Sequence, residues 1–518
     1  MPRSTSALAL ALLVAFLAPV STARGEDGSV ARAAVEGVGC APDAALPARL
    51  AADAKLQRAD AEERAVLIAY YAQRQCAPLW VAAGGLTARG RAVVAEIADA
   101  DAWGLDAGAF RLPPSQQALG PPQAVEADAL ISIAVLKYAR HARGGRAEPT
   151  SLSDNLDRAL ALRDPARVIS DMADAPDPAA YLRQLHPQHQ QFEALRQKYL
   201  QARGAARTPA MPGVPDGGGK PAGEDARTAA KLLLNMEEWR WMPESLGDLF
   251  VAINVPEFTL RVVKDGKVIH AQRVIVGKPD KPTPIFTAYL DKVIFHPSWG
   301  VPESIKTEDI LPSLLRGSSR VLERYHLRVQ RGGRDVDPAT IDWATTDLRS
   351  VHIYQPPGGG NVLGDVKFRF PNKHDVYLHD TPDKYLFKAS ARAFSHGCMR
   401  LSEPGRLAEL LLGEDQGWSA GQVAAALAGG PQSREVGVTG KVPVHVTYFT
   451  TVVDDSGRLE TFADVYGHET RIALGIAGKA YLIPKPPSAV TRADVLGRLA
   501  ESGGHGRDDW VRRAFGNN

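Results

Sequence analysis

The sequence predicts an α+β protein, a helical N-terminal half followed by a β-rich half whose sheet is mainly antiparallel. Apolar residues recur at three- and four-residue spacing between Ala61 and Arg203. A proline- and glycine-rich run, TPAMPGVPDGGGKPAG from Thr208 to Gly223, then interrupts the pattern. Beyond it the chain turns to short β-branched and aromatic runs bounded by turn residues. At 518 residues the chain exceeds the size at which one core stops growing, so two or three folded units are expected.

In chain order, Arg3, the apolar run Ala7 to Ala18 and the small residues ending at Ala23 read as a signal peptide over residues 1–23. The run is too short to span a bilayer, which takes roughly 20 apolar residues. A short membrane anchor that is never cleaved is the other reading; either way the body is exported, and the oxidising periplasm or cell exterior favours a disulfide between Cys40 and Cys76, with two unpaired buried thiols as the alternative. Cys398 then remains as the free thiol. Helices are expected at Glu63 to Arg74, Ala92 to Asp101, Glu126 to Arg143 and Gln190 to Ala202, within a helical scaffold domain spanning 24–203. Turns fall at Leu112-Pro113-Pro114 and Gly144-Gly145. Residues 204–228 are expected as a flexible linker.

Strands are expected at Phe250 to Val255, Thr259 to Val263, Val268 to Val276, Val293 to His296, Val351 to Tyr354, Val376 to His379 and Val444 to Thr451. Asp265-Gly266 between two of them signals a tight hairpin, because both central positions of that turn take positive φ. Helices return at Glu403 to Leu412 and Ser419 to Ala428, and 486–518 reads as a C-terminal tail.

Charge excludes one class of function. With 61 basic and 59 acidic side chains the net charge is +2, without the basic excess of a nucleic-acid binder. The glycines at 217–219 and 358–360 lack the strand-to-helix setting of a phosphate loop.

The densest group of reactive side chains is Tyr377-Leu378-His379-Asp380 together with His396-Gly397-Cys398-Met399-Arg400. A thiol with a pKa of about 8.5 is only slightly ionised at neutral pH, so a cysteine nucleophile needs a neighbouring base. His379 can supply it, with Asp380 or its backbone carbonyl fixing the tautomer. Tyr377 alternates to the same strand face. Gly397 leaves the backbone open, so that N–H groups at Gly397 and Cys398 can converge on an oxyanion. Arg400 carries a donor fork suited to a substrate carboxylate. His396 reads either as a substrate-side residue or as a structural side chain that holds the loop. A zinc site from His379, His396 and Cys398 is the competing reading, but His-x-Cys is not zinc-ligand spacing, and no metal or cofactor is expected.

Ser395-His396-Gly397-Cys398, with a histidine nineteen positions before the cysteine, resembles the signature of the L,D-transpeptidases, the YkuD-type enzymes of peptidoglycan. The wider text is similar to their large periplasmic YcbB-type subgroup: His379-Asp380-Thr381-Pro382, Phe394 to Leu401, Pro297-Ser298-Trp299 with Val301-Pro302, and Asn361-Val362-Leu363-Gly364 with Lys367-Phe368. The likeness is strong over residues 229–485 and weak at Tyr70 to Arg74, Pro78-Leu79-Trp80 and Trp103 to Asp106. It implies a catalytic domain over 229–485 with an inserted segment, about 303–347, that caps the substrate. It implies Cys398 as nucleophile, His379 as base, Tyr377 and Gly397 at the reaction centre, and Arg400, His396, Ser395, Trp299 and Asn361 on the substrate side. It also implies tetrapeptide stems as donor and acceptor, a 3-3 cross-link as product, and carbapenem β-lactams as inhibitors. Smaller relatives often have Asn where this chain has Arg400. The space between Arg203 and Ala229 holds no dedicated peptidoglycan-binding module. Readings that share the acyl-enzyme are an L,D-carboxypeptidase, another linkage type, or attachment of a protein to the wall; a non-catalytic wall-binding protein is the alternative from another class.

Overall fold

A computed structural model describes residues 45–52, 58–114, 118–205, 211–214, 223–485 and 490–501. The expected leader at 1–23, Cys40, most of the proline- and glycine-rich run and the last part of the expected tail lie outside them. The chain divides into two compact units, residues 1–78 and 79–518.

In the first unit, helices Ala45–Ala51 and Arg58–Gln73 are described, the second matching the expected Glu63 to Arg74 helix. Cys76 is disulfide-bonded.

The second unit opens on Trp80, fully buried. Its indole N–H donates to Ser132 (2.8 Å), and the Asp128 carboxylate accepts the backbone N–H groups of Leu79 and Trp80. Both partners lie on the helix Pro121–Gly144, which starts on a proline pair and stops at Gly145, φ 84°. The expected helices are present as Ala88–Ala98, Pro121–Gly144 and Gln190–Ala205.

One expectation needs correction. Helix Glu224–Arg240 takes the last five positions assigned to the 204–228 linker, and Gln190–Ala205 takes the first two. Phe192, Leu195 and Tyr199 of one helix and Leu232, Leu233 and Met236 of the other join Val251, Ile253, Val274 and Val444 of the strands in one continuous core. Backbone bonds link Asp157 and Asn155 to Ile285 (2.9 and 2.7 Å), and the buried Arg158 guanidinium donates to the Val446 carbonyl. The composition shift at 208–223 marks a change of secondary structure, and the hydrophobic interior runs across it.

The main sheet has nine strands, in the order Ala393–Ser395, Lys267–Gly277, Met399–Leu401, Leu378–His379, Val366–Arg369, Thr287–Phe295, Arg434–Thr447, Leu249–Asn254, Thr259–Lys264. Thr259–Lys264 also pairs with Lys267–Gly277, so the sheet closes on itself. Most pairs are antiparallel; three are parallel, including Leu378–His379 with Met399–Leu401. The hairpin at Asp265-Gly266 forms as the sequence predicts, with φ 49° and 74°. Val366 and Phe368, Leu378, Met399 and Leu401 point into the core, and period-two alternation places Lys367, His379 and Arg400 on the opposite face.

The inserted segment is larger than 303–347. Trp299–Gly300, His352–Gln355, Arg328–Arg331 and Arg334–Asp335 form a separate four-stranded sheet. Short helices from Glu303 to Arg324 pack on it around a second core, with Trp299, Ile310, Leu311, Val329, Ile353 and Leu363. Part of the expected tail is helix Arg492–Glu501, whose Arg492 guanidinium binds the carbonyl oxygens of Trp343, Ala344 and Thr346 in this segment.

Candidate active site

Strand register brings the reactive residues together. Leu378 lies opposite Met399 and His379 opposite Arg400 in a parallel pair, and Lys367 lies opposite His379 on the other side. Cys398 immediately precedes its strand and faces Tyr377, whose carbonyl accepts the Met399 N–H (3.1 Å). His379 sits one diagonal step away on the same face.

His379 is buried and its Nδ1–H donates to the Asp380 carbonyl, which leaves Nε2 as the acceptor nitrogen. The backbone carbonyl of Asp380, rather than its carboxylate, therefore sets the tautomer. That carboxylate is engaged elsewhere, accepting from Asp365 N–H (3.0 Å), Thr381 N–H (2.7 Å) and the Lys384 ammonium. Burial, reinforced by the Arg400 charge, lowers the His379 pKa to about 3, so the imidazole is neutral at neutral pH.

Burial raises the Cys398 thiol above its ordinary pKa, against the pull of the Tyr377 N–H and hydroxyl and the charges of Lys367 and Arg400. The Tyr377 hydroxyl bonds to Cys398 and accepts from the Trp299 indole, linking the inserted segment to the thiol. Its ring lies edge-on to His379 (5.6 Å between centroids), and the Lys367 ammonium sits 3.8 Å from its centre.

Gly397 has φ 108°, a conformation that favours glycine. Its N–H donates to Ser395 Oγ (3.2 Å), and the same hydroxyl donates to the Cys398 carbonyl. Both sequence-level expectations for this loop therefore need adjusting. The Gly397 N–H is already bonded, and among the described residues the Cys398 N–H is left without a partner. Ser395 is buried and shapes the loop.

Two other expected substrate-side residues have structural partners. Asn361 is buried, its amide bridging the carbonyls of Pro297, Gln355 and Pro356 while its oxygen accepts the Leu363 N–H. It staples the inserted segment and offers no free donor to a ligand. Arg400 pairs with Asp383 (3.3 Å), which occupies part of the fork expected to take a substrate carboxylate. His396 faces the inserted segment, its Nε2 3.6 Å from Asp309 Oδ2. Burial holds His396 down at about 4 and raises Asp309 to about 6.

Sequence reasoning assigned no role to Lys367, Asp309 or Thr283, which strand register and chain crossing bring to the site. Lys367 does lie in the Asn361 to Phe368 motif, the only signal that could have pointed to it.

Comparison with known proteins gives this geometry its setting. Residues 65–198 match the Scaffold domain, and residues 248–444 match the L,D-transpeptidase catalytic domain of the YkuD family. A putative L,D-transpeptidase of Haemophilus influenzae is 31% identical over 254 residues, 49% of this chain and 51% of that protein, so the chain spans about half the length of the curated relative it matches. Among solved structures, an L,D-transpeptidase from Mycobacterium smegmatis aligns at 16% identity over 39% of this chain and 58% of its own, with a TM-score of 0.17. L,D-transpeptidase 3 from Mycobacterium tuberculosis, solved with a faropenem-derived adduct, aligns at 13% identity over 39% and 60%, with a TM-score of 0.19. Cys398, His379 and Tyr377 thus lie within the stretch that matches the YkuD-type L,D-transpeptidase catalytic domain, which follows the stretch that matches the Scaffold domain.

Proposed function

We propose that this chain is a peptidoglycan L,D-transpeptidase that works through a Cys398 thioester. The observation that carries the reading is a thiol, a hydroxyl bonded to it and a neutral imidazole whose acceptor nitrogen has no partner among the described residues, all on one face of the sheet. His379 Nε2 takes the Cys398 proton as the sulfur attacks the carbonyl of the third-position diamino acid in a tetrapeptide stem. The Cys398 N–H receives the developing oxyanion. Collapse breaks the bond to D-alanine, and the imidazolium returns its proton to the departing amine. The side-chain amine of a second stem then attacks the thioester, His379 takes its proton, and the thiolate leaves to give a 3-3 cross-link.

Other acceptors use the same thioester: water makes the protein an L,D-carboxypeptidase, and a lysine amine attaches a protein to the wall. The leader at 1–23 would deliver the chain to the periplasm, where its substrate lies. A carbapenem carries a strained acyl group that the same sulfur would open, which makes it a covalent inhibitor and a probe.

The test is incubation of the full chain with a disaccharide tetrapeptide, with products weighed by mass spectrometry beside Cys398→Ala. Loss of D-alanine with a cross-linked dimer is the expected result. Loss without dimer selects the carboxypeptidase, and neither product from folded protein leaves a non-catalytic wall-binding role.

A further inference from the structure

The oxyanion donor is a backbone N–H, so its aim depends on whatever fixes the Gly397–Cys398 peptide plane. A trans peptide holds its C=O and N–H in one plane pointing opposite ways. Anchoring the Gly397 carbonyl therefore anchors the Cys398 N–H. That carbonyl accepts a hydrogen bond from the Thr283 hydroxyl (2.8 Å), across 114 positions of sequence. Thr283 is fully buried, and its oxygen also accepts the Gly277 N–H (2.8 Å), so the hydroxyl proton has one direction left to point.

Thr283 is itself held. Its own N–H donates to the Tyr466 hydroxyl (3.2 Å), which donates in turn to the Gly277 carbonyl (2.7 Å). Gly277 cannot be replaced to loosen this joint, because a Cβ there would run into the backbone of Lys281 to Thr283. The other side of the nucleophile loop is fixed by Ser395, so the two peptides flanking Gly397 are tied from opposite directions. A positive-φ glycine, the most mobile kind of residue, is thereby locked next to the reacting sulfur.

We propose that Thr283 is a positioning residue that aims the Cys398 N–H at the oxyanion. This rests on the acyl-enzyme reading above and adds to it a residue outside the motifs that carry the family resemblance. Thr283 touches neither sulfur nor substrate. It acts through the Gly397 carbonyl.

Two reactions of the same sulfur separate aim from nucleophilicity. Alkylation by iodoacetamide displaces iodide from carbon and forms no oxyanion; acylation by a carbapenem does. Thr283→Val keeps the shape and removes the hydroxyl, whereas Thr283→Ser keeps the hydroxyl. In the full chain, Thr283→Val is expected to slow carbapenem acylation about 10- to 100-fold, within the loss that follows removal of a whole oxyanion donor. Its iodoacetamide rate should stay within about twofold of wild type, and Thr283→Ser should recover most of the acylation rate. Equal slowing of both reactions in Thr283→Val, or unchanged acylation, overturns the proposal. Should Thr283→Val fail to fold, Tyr466→Phe, which loosens Thr283 from behind, is read in the same two assays, with selective loss of acylation expected. Absence of any carbapenem adduct on wild type would instead count against the acyl-enzyme reading.

Discussion

Burial holds the Cys398 thiol protonated and the His379 imidazole unprotonated. Under the proposed mechanism, proton transfer between them would create two charges that stabilise each other once formed. The His379 pKa of about 3 means that its protonation produces no inflection between pH 5 and 8. The iodoacetamide rate should therefore rise with pH through and beyond the ordinary thiol pKa of about 8.5. Tyr377→Phe removes a hydrogen bond to the sulfur worth about 1 kcal/mol, so its profile should move up by roughly half a unit to one unit. A profile unchanged by Tyr377→Phe would remove that hydroxyl from the thiol's environment. At this scale the sequence was readable where chemistry is dense: Cys398, His379 and Tyr377 lie within 22 positions and have distinct reactivities. Thr283 and Lys367 were not, because Lys367 reaches the site through strand register and Thr283 through a loop bonded to Gly397, each from far away in sequence. Asn361 and Ser395 were misplaced because a polar residue in a motif reads alike whether it binds a ligand or staples a loop.

Short turns transmit geometry into the site. Gly364, φ 57°, closes the Asn361 to Gly364 motif, and a Cβ there would collide with the Asp380 carboxylate. Asp380 also supplies the carbonyl that orients His379. Gly364→Ala should then cost about 1–2 kcal/mol in backbone strain and also slow carbapenem acylation. Gly266→Ala is the matched comparison, with similar φ and nothing within 4 Å of the added carbon. It should lose about 1 kcal/mol in urea denaturation and keep full acylation. If both variants acylate like wild type, the link from Gly364 to His379 is absent. Local signals located the hairpin, the principal helices and most strands because period and turn chemistry act over a few residues. Val376 to His379 shortened to two residues and Val293 to His296 grew to Thr287–Phe295, since pairing partners set where a strand ends.

Across the whole molecule, burial keeps several histidines neutral. His141, His379 and His468 are lowered to about 3 and His445 to about 4, in each case chiefly by burial. An unfolded chain takes up protons at these sites near pH 6.5 while the folded chain refuses them down to about 3 or 4. The stability these four sites contribute is therefore fully present above pH 6.5 and is lost as the pH falls toward 3. Scanning calorimetry should show Tm dropping by about 5 °C or more from pH 7 to pH 4. A flat curve would mean these rings are charged inside the fold. The continuous interior was the least legible feature, because a proline- and glycine-rich composition reads the same whether or not the helices and strands on either side of it share one core.

That interior restricts the protein's ancestry as well as its folding. A gene fusion that brought in a foreign catalytic segment at residues 208–223 would deliver half of a hydrophobic surface without its mate. Descendants of such a chain must have changed both sides of the seam in step, so substitutions at Phe192 or Leu232 should track those at Val251 or Val444 across homologues.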